Sequence, residues 1–597
     1  MAEGIYPPRT SEISGISEPV IRRRMLLAPV GLAVFTLALL PLCMDRRVGL
    51  YDEAIILEGA ERLLTGALPH RDFYAIYGPA QFAAVAAIFK LVGPSIIAAR
   101  IWDLVIKAAI VPIVFMLTHR ASPPMAWFAS LLSAVWLATT GYYLFPLFPA
   151  LTFSLASVLL LAPTLEGESA PLRVAAGGFF AALTGAFRYD VGMATLGIES
   201  VILAAVALLA SGRTRPGLRQ LVAVALPFAG GALVVIGPLA AWFVVARMVD
   251  GFVLDLTLTA RNYSAVRNVP LPRLSDWRSL GVHQPAVVLV ACFPVLLLLA
   301  WRRHNVALPT MTAAFTAIFF AKGWVRISVI HMSAAIVASL ALLALVLPRA
   351  RSLGRQAAIP VLAAAGFAAA CATAGVTPAL RNAKANLSWL AAGMNCRLTV
   401  GPAACLLVSP EEVDAIRLVQ YLTKPNEPIF VGLGRHDKIF LNDIAFYVLS
   451  ERPPATKWYH MDPGVQTTEP IQRDMVKELR GHCVRVVVLE TWWDNVTEPN
   501  ASAVSSGVTF LDDAIRRDYA PVQSFGPISV LEVRPGFERL GCPPQPGRSG
   551  SRSPMSAYHM RRDKAALFRS VQGPPGDRSR RKHPGRHGGD EMSEAPG

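Results

Sequence analysis

The chain has 597 residues, of which 53% are hydrophobic and 16% charged. A soluble chain of this length carries about 25% charged residues, so the composition excludes a soluble globular protein. The net charge of +16 is not one basic surface: residues 541–597 hold eleven Lys or Arg against five Asp or Glu, and much of the remainder sits in short loops between apolar runs. Nucleic acid is therefore not an expected partner, and membrane lipid is.

Residues 1–17 are polar, and the first apolar run, 25–44, follows Arg22, Arg23 and Arg24. About 20 apolar residues suffice to span a bilayer, so this run is read as an uncleaved first span behind a cytoplasmic segment, 1–24. Further apolar runs lie near 79–94, 98–118, 124–140, 146–163, 174–187, 191–210, 221–247, 285–301, 307–321, 329–347 and 357–376. Several are short, which gives an expected count of about 11–13 spans. Basic short loops mark the cytoplasmic side: Arg22 to Arg24, the three Arg of 211–220, Arg302 and Arg303, and the three Arg of 348–356. The loop 45–78 and the chain after 377 then face outward. Between 79 and 210 the parity does not close, so either one segment is re-entrant or two form one bent helix.

After 377 the periodicity changes. Residues 411–422 are amphipathic and helical, with Val413, Ile416, Leu418 and Val419 apolar; 428–432 and 484–489 are strand-like; 510–519 is helical; 524–533 alternates as a hairpin around Gly526 and Pro527. The expectation is a multi-pass α-helical membrane region over 25–376, an extracytoplasmic α/β domain over 377–540 and a disordered basic tail over 541–597. Cys43, Cys292 and Cys371 lie in or beside apolar runs and are read as buried small hydrophobes. Cys396 and Cys405 can pair if their stretch faces an oxidising compartment.

The first outward loop is the most informative. Asp52 and Glu53 open a helical stripe of Ile55, Ile56, Gly59, Ala60, Leu63 and Leu64, with Glu58 and Arg62 four apart and Gly66 and Pro69 as stops. Such a helix lies at the membrane surface, with its two leading carboxylates beside a lipid headgroup. On spacing alone Asp52 reads as well as an N-cap and Glu53 as a first-turn acid. The sequence continues with His70, Arg71, Asp72 and Phe73, then Tyr77, Gly78 and Pro79, a short apolar run to Gly93, and Arg100 opening the next.

That order resembles the GT-C-fold membrane glycosyltransferases, and within them the branch of protein O-mannosyltransferases and aminoarabinose transferases, which use polyprenyl-phosphate sugars. The motif match covers about residues 20–200, and the architecture extends it to about 540. The resemblance implies a sugar transfer from a polyprenyl-phosphate donor to an extracytoplasmic acceptor (glycolipid, cell-wall polymer or protein), with inversion, in a bacterial inner membrane with the site facing outward. It implies that Asp52 is the catalytic base, with Glu53 beside it. The leaving phosphate needs cations rather than an acid, and Arg71, Arg188, Arg326 and His331 are the candidates. Related sequences often carry an acid near the last two; here Ser328 stands nearby instead.

Arg188 and Asp190 interrupt an apolar stretch, which is costly unless they face a polar cavity or pair with each other. His331 reads equally as an interface residue. Tyr77, Asp190, and Tyr263 and Arg267 of the loop 250–284 are candidates for substrate contact, with ordinary loop roles as the alternative for the last two. The Gly-rich turn 432–438 lacks dinucleotide spacing, and Trp492 and Trp493 suit either a sugar stack or a core. No cofactor is required by the motifs. A divalent cation at Asp52 and Glu53 stays open, although adjacent helical residues point about 100° apart, which disfavours joint chelation. The rival reading is a polytopic transporter or flippase of lipid-linked sugars, which would carry ionisable residues in mid-span; here Asp103 and Lys107 are the main such residues.

Overall fold

The computed structural model describes residues 18–535 apart from 169, 211–216, 276–278, 303, 395 and 397–399. The expectations for residues 1–17, most of the arginine loop 211–220, Arg303 and the tail 541–597 lie outside the described residues.

Each of the twelve apolar runs is a helix: Glu18–Leu42, Pro79–Val92, Ile96–Thr118, Pro123–Thr139, Leu147–Leu165, Pro171–Phe187, Tyr189–Ala210, Gly217–Val245, Gln284–Trp301, Ala307–Gly323, Ser333–Leu353 and Arg355–Ala374. Among the described residues, seven helical segments are long and apolar enough to cross a membrane, and three shorter apolar helices accompany them. Ser333–Leu353 is enclosed along most of its length. Gly217–Val245, by contrast, leaves Leu226, Val234 and Val245 mostly exposed. An apolar surface of this kind is stable against lipid rather than water.

Residues 79–210 form six separate helices. Pro171–Phe187 and Tyr189–Ala210 fold back on each other around the single extended residue Arg188 (φ −141°, ψ 105°). Gly185 and Gly192 permit the closeness, since a Cβ on Gly192 would fall 2.1 Å from the Gly185 Cα.

The C-terminal region is a four-stranded mixed sheet with helices on both faces. β1 (Phe430–Leu433) runs parallel to β2 (Val486–Glu490); β4 (Ile528–Val533) pairs antiparallel with β2 and with β3 (Tyr519–Phe525), giving the order β1-β2-β4-β3. The expected hairpin is thus β3–β4, turning at Gly526 (φ 56°). Side chains alternate across the sheet. Val431, Val486, Val488 and Val530 join the large core that continues into the membrane helices. Phe430, Val487, Leu531 and Val533 join a second core with Glu469–Gly481 and Phe510–Asp518. Cys396 and Cys405 form a disulfide, and Cys483 is also disulfide-bonded. Cys43, Cys292 and Cys371 are free and buried, as expected of small hydrophobes.

The helix Asp52–Leu64 differs from the expected surface helix. Residues 53–60 are buried without a break, because the C-terminal domain covers the face that would otherwise meet water. The Tyr459 hydroxyl donates to the Ile55 carbonyl (3.0 Å), and the Ile444 amide donates to the Leu50 carbonyl (2.9 Å). Arg62 turns from Glu58 to the Thr456 and Asp72 carbonyls.

Glu412, Asp443 and Glu490 are buried together in this domain. Burial pushes Asp443 up to about 7; burial and then repulsion from Asp443 push Glu412 up to about 9, and the same two causes hold Glu490 well above the usual range. The folded domain therefore binds protons that the unfolded chain, with carboxyls near 4, has released. The resulting stabilisation is complete below the unfolded values and is lost as pH rises through the folded ones. Tryptophan-fluorescence melts of the whole protein should show the unfolding temperature falling between about pH 5 and pH 9, with a flatter dependence in Glu490→Gln; equal slopes in both proteins would show that the cluster holds no such protons.

Candidate active site

A cavity of about 750 Å³ lies between the membrane helices and the C-terminal domain. Asp52 reaches it because of its place in the helix. Tyr51 holds the N-cap position and makes no side-chain cap, and Asp52 is the first helical residue. The Asp52 carboxylate does not cap the helix but turns to the cavity, where its Oδ1 accepts from the Tyr77 hydroxyl (2.8 Å). Burial raises its pKa; the Tyr77 bond and the charges of Arg326, Arg267 and Arg188 pull the other way without cancelling the rise.

Tyr77 is placed by Gly78 and Pro79. The Gly78 amide donates to the Phe187 carbonyl (3.0 Å), and a Cβ at this position would lie 2.1 Å from the Ala186 carbonyl oxygen. Only glycine allows this approach, and Pro79 starts the next helix at once. Tyr77 is thereby brought against the Arg188 hairpin, with the guanidinium carbon 5.2 Å from its ring centroid. Arg188 is paired with Asp190 (2.9 and 3.1 Å), and Lys322 approaches the same carboxylate (3.5 Å).

Arg326 and Arg267 complete the cationic side. The short helix Ser264–Arg267 follows a π-helical turn, Thr259–Tyr263, and Arg326 lies between Ala307–Gly323 and Ser333–Leu353. Arg188, Lys322, Arg326, Arg267, Asp52 and Asp190 line the cavity, as do His331, Trp492 and Trp493. The His331 Nδ1 is 2.7 Å from the Ser328 hydroxyl. Burial, then the surrounding Arg and Lys charges, hold this imidazole well below the usual range, so it offers a hydrogen bond rather than a charge.

Two expected residues stand differently. Arg71 does not line the cavity: it is exposed and bonds Asp72 (2.8 Å) and the Ala246 carbonyl. The loop turns at His70 (φ 67°), whose buried ring contacts Asp255 (2.8 Å) and Tyr189 (3.1 Å). With His70 inward, Arg71 points outward. Glu53 lines the cavity, but its oxygens are held by Arg100 (2.6 and 2.7 Å) and by the Gly49 amide (2.8 Å). The side chain of Tyr263 lies outside the described residues.

Two cavity residues, Lys322 and Asp462, and one behind the cavity, Glu498, carried no distinctive signal in the sequence. Lys322 looks like an ordinary helix-end lysine until the hairpin presents Asp190. Asp462, from the C-terminal domain, accepts from the Tyr51 (2.8 Å) and Tyr74 (3.4 Å) hydroxyls, and burial pushes it up to about 6. Glu498 backs Arg267 and Arg326. No group of three or more His, Cys, Asp or Glu among the described residues is arranged to hold a metal. Glu53 is held by Arg100, and Asp52 accepts from Tyr77 through Oδ1.

Fold and cavity define a multi-pass membrane protein in which the helix Asp52–Leu64 is buried under a C-terminal α/β domain. No family model and no curated protein sequence matches the chain. Among solved structures it is similar to ArnT from Cupriavidus metallidurans in the apo state, with TM-score 0.52 and 14% identity over 88% of this chain and 100% of that one. ArnT from the same organism bound to undecaprenyl phosphate gives TM-score 0.48, 14% identity, and coverage of 87% and 99%. The archaeal oligosaccharyltransferase AglB from Archaeoglobus fulgidus, in complex with an inhibitory peptide and a dolichol-phosphate, gives 0.46, 13%, 84% and 73%. The first of these likenesses shows that the chain shares the fold of ArnT, the GT-C architecture expected from the sequence around Asp52.

The two neighbouring carboxylates should separate by experiment. Glu53→Ala leaves Arg100 buried and unpaired, a loss of about 3–5 kcal/mol, visible as a large drop in unfolding temperature. Asp52→Asn keeps the Tyr77 contact and should melt close to wild type; equal losses would show that Glu53 is not the anchoring member of the pair.

Proposed function

We propose that the protein is a membrane glycosyltransferase that moves a sugar from a polyprenyl-phosphate carrier to an extracytoplasmic acceptor. The observation that carries this reading is the cavity itself: a buried carboxylate, Asp52, shares it with Arg188, Lys322, Arg326 and Arg267 at the boundary between apolar helices and a folded domain. A phosphate on a lipid tail and a polar acceptor are the two kinds of molecule that such a boundary admits together. The ArnT fold supports the reading.

In this reading the acceptor hydroxyl or amine attacks the anomeric carbon while the bond from that carbon to the phosphate oxygen breaks. Asp52 takes the acceptor proton, and its raised pKa brings it nearer to working pH, where a general base is most effective. Arg188, Lys322, Arg326 and Arg267 stabilise the released polyprenyl phosphate. His331, Tyr77 and Asp190 orient substrate and cations, and Glu53 holds the loop rather than the substrate. A single displacement inverts the anomeric centre. The site faces outward from a bacterial inner membrane; the disulfides of the C-terminal domain support this, because such bonds persist in oxidising compartments, and the basic loops agree.

Sugar transfer by purified protein in lipid nanodiscs, from a panel of polyprenyl-phosphate sugars, tests the proposal. Asp52→Asn should lower kcat roughly 10²–10⁴-fold. The base must be ionised to act, so the wild-type rate should fall as pH is lowered through a pKa above the ordinary value of about 4. Unchanged turnover in Asp52→Asn would remove this residue from the chemistry.

A further inference from the structure

Arg267 and Arg326 enter the cavity from different parts of the chain, yet both end on one carboxylate. Arg267 donates through one terminal nitrogen to Glu498 Oε2 (2.8 Å) and through the other to the Phe440 carbonyl (2.5 Å). Arg326 donates to Glu498 Oε1 (2.6 Å). Asn500 donates to Glu498 Oε2 as well (3.1 Å). The Phe440 ring lies against both guanidinium groups, with centroid distances of 5.0 and 5.5 Å. The two arginines line the cavity and Glu498 does not.

This geometry distinguishes two roles. A carboxylate placed in the cavity would compete with an anionic ligand for the arginines. A carboxylate behind them holds two like charges together at the cavity wall. Without it, two guanidinium groups converging on one cavity repel each other and lose charge-assisted bonds that fix their direction. We infer that Glu498 is a positioning residue, supplied by the C-terminal domain, which aligns Arg267 and Arg326 as a paired subsite for the phosphate of the lipid-linked donor. The inference rests on the glycosyltransferase reading above, and it means that the C-terminal domain completes the donor site as well as covering it.

The test measures binding of a polyprenyl monophosphate to the full chain in lipid nanodiscs, and steady-state transfer with the sugar-loaded donor. Glu498→Gln and Glu498→Ala should each weaken phosphate binding and raise donor KM roughly 10- to 100-fold, with kcat at saturation changed by less than about threefold. Glu498→Asp should recover part of the affinity. Arg326→Ala combined with Glu498→Ala should cost clearly less than the two single losses added together, because part of what Glu498 does acts through Arg326. Unchanged or tighter binding in Glu498→Gln, or fully additive losses in the double variant, would overturn the assignment while leaving the glycosyltransferase reading intact. Wild-type protein that binds no polyprenyl phosphate at all would overturn both.

Discussion

The structure depends on a buried ion pair. Arg100, on Ile96–Thr118, is buried and uses its whole guanidinium: two bonds to Glu53 and one each to the Asp45 and Arg47 carbonyls (both 2.7 Å). These contacts tie both the start of the outward loop and the first turn of Asp52–Leu64 to a membrane helix. A buried pair of this kind adds little net stability compared with apolar packing, but it specifies one geometry and is costly to break. Here the specified geometry is the direction of Asp52. Adjacent residues on a helix point about 100° apart, so fixing Glu53 inward toward Arg100 leaves Asp52 facing the cavity.

The rest of the site is assembled by close backbone approach. Gly78 lets the outward loop touch the Arg188 hairpin, and the hairpin itself closes where Gly185 and Gly192 meet. Tyr77 then lies between Asp52 and Arg188, in contact with both. On the far side the C-terminal domain contributes Asp462, the tryptophans and the support for two arginines. Membrane region and domain share a continuous core, so the cavity is a seam within one body rather than a gap between two. That explains why the helix Asp52–Leu64 is buried on a face that its composition would allow to be wet.

The cations are balanced as carefully as they are gathered. Arg188 and Lys322 share Asp190, and Arg267 and Arg326 share Glu498. Each carboxylate lowers the repulsion within its pair. Four unbalanced charges gathered in a low-dielectric setting would repel one another strongly.

Much of this protein was legible in the order of its residues. Apolar runs gave the helices, two short apolar runs gave β1 and β2, alternation over 524–533 gave β4 and the end of β3, and the sequence around Asp52, Gly78 and Arg188 marked the cavity, because periodicity and local backbone demands are written residue by residue. The roles within the cavity were not legible in the same way. Whether Asp52 caps its helix or faces a ligand turned on Glu53 meeting Arg100, 47 residues away. Arg71 was expected inside, and the left-handed turn at His70 put it outside. Asp462 and Glu498 lie more than 400 residues from Asp52 along the chain and reach the site only because the C-terminal domain folds over it. Sequence by itself determined the membrane architecture, the α/β domain and the segments that build the cavity; tertiary structure decided which charges face it, since the direction of a side chain is set by partners that local sequence does not contain.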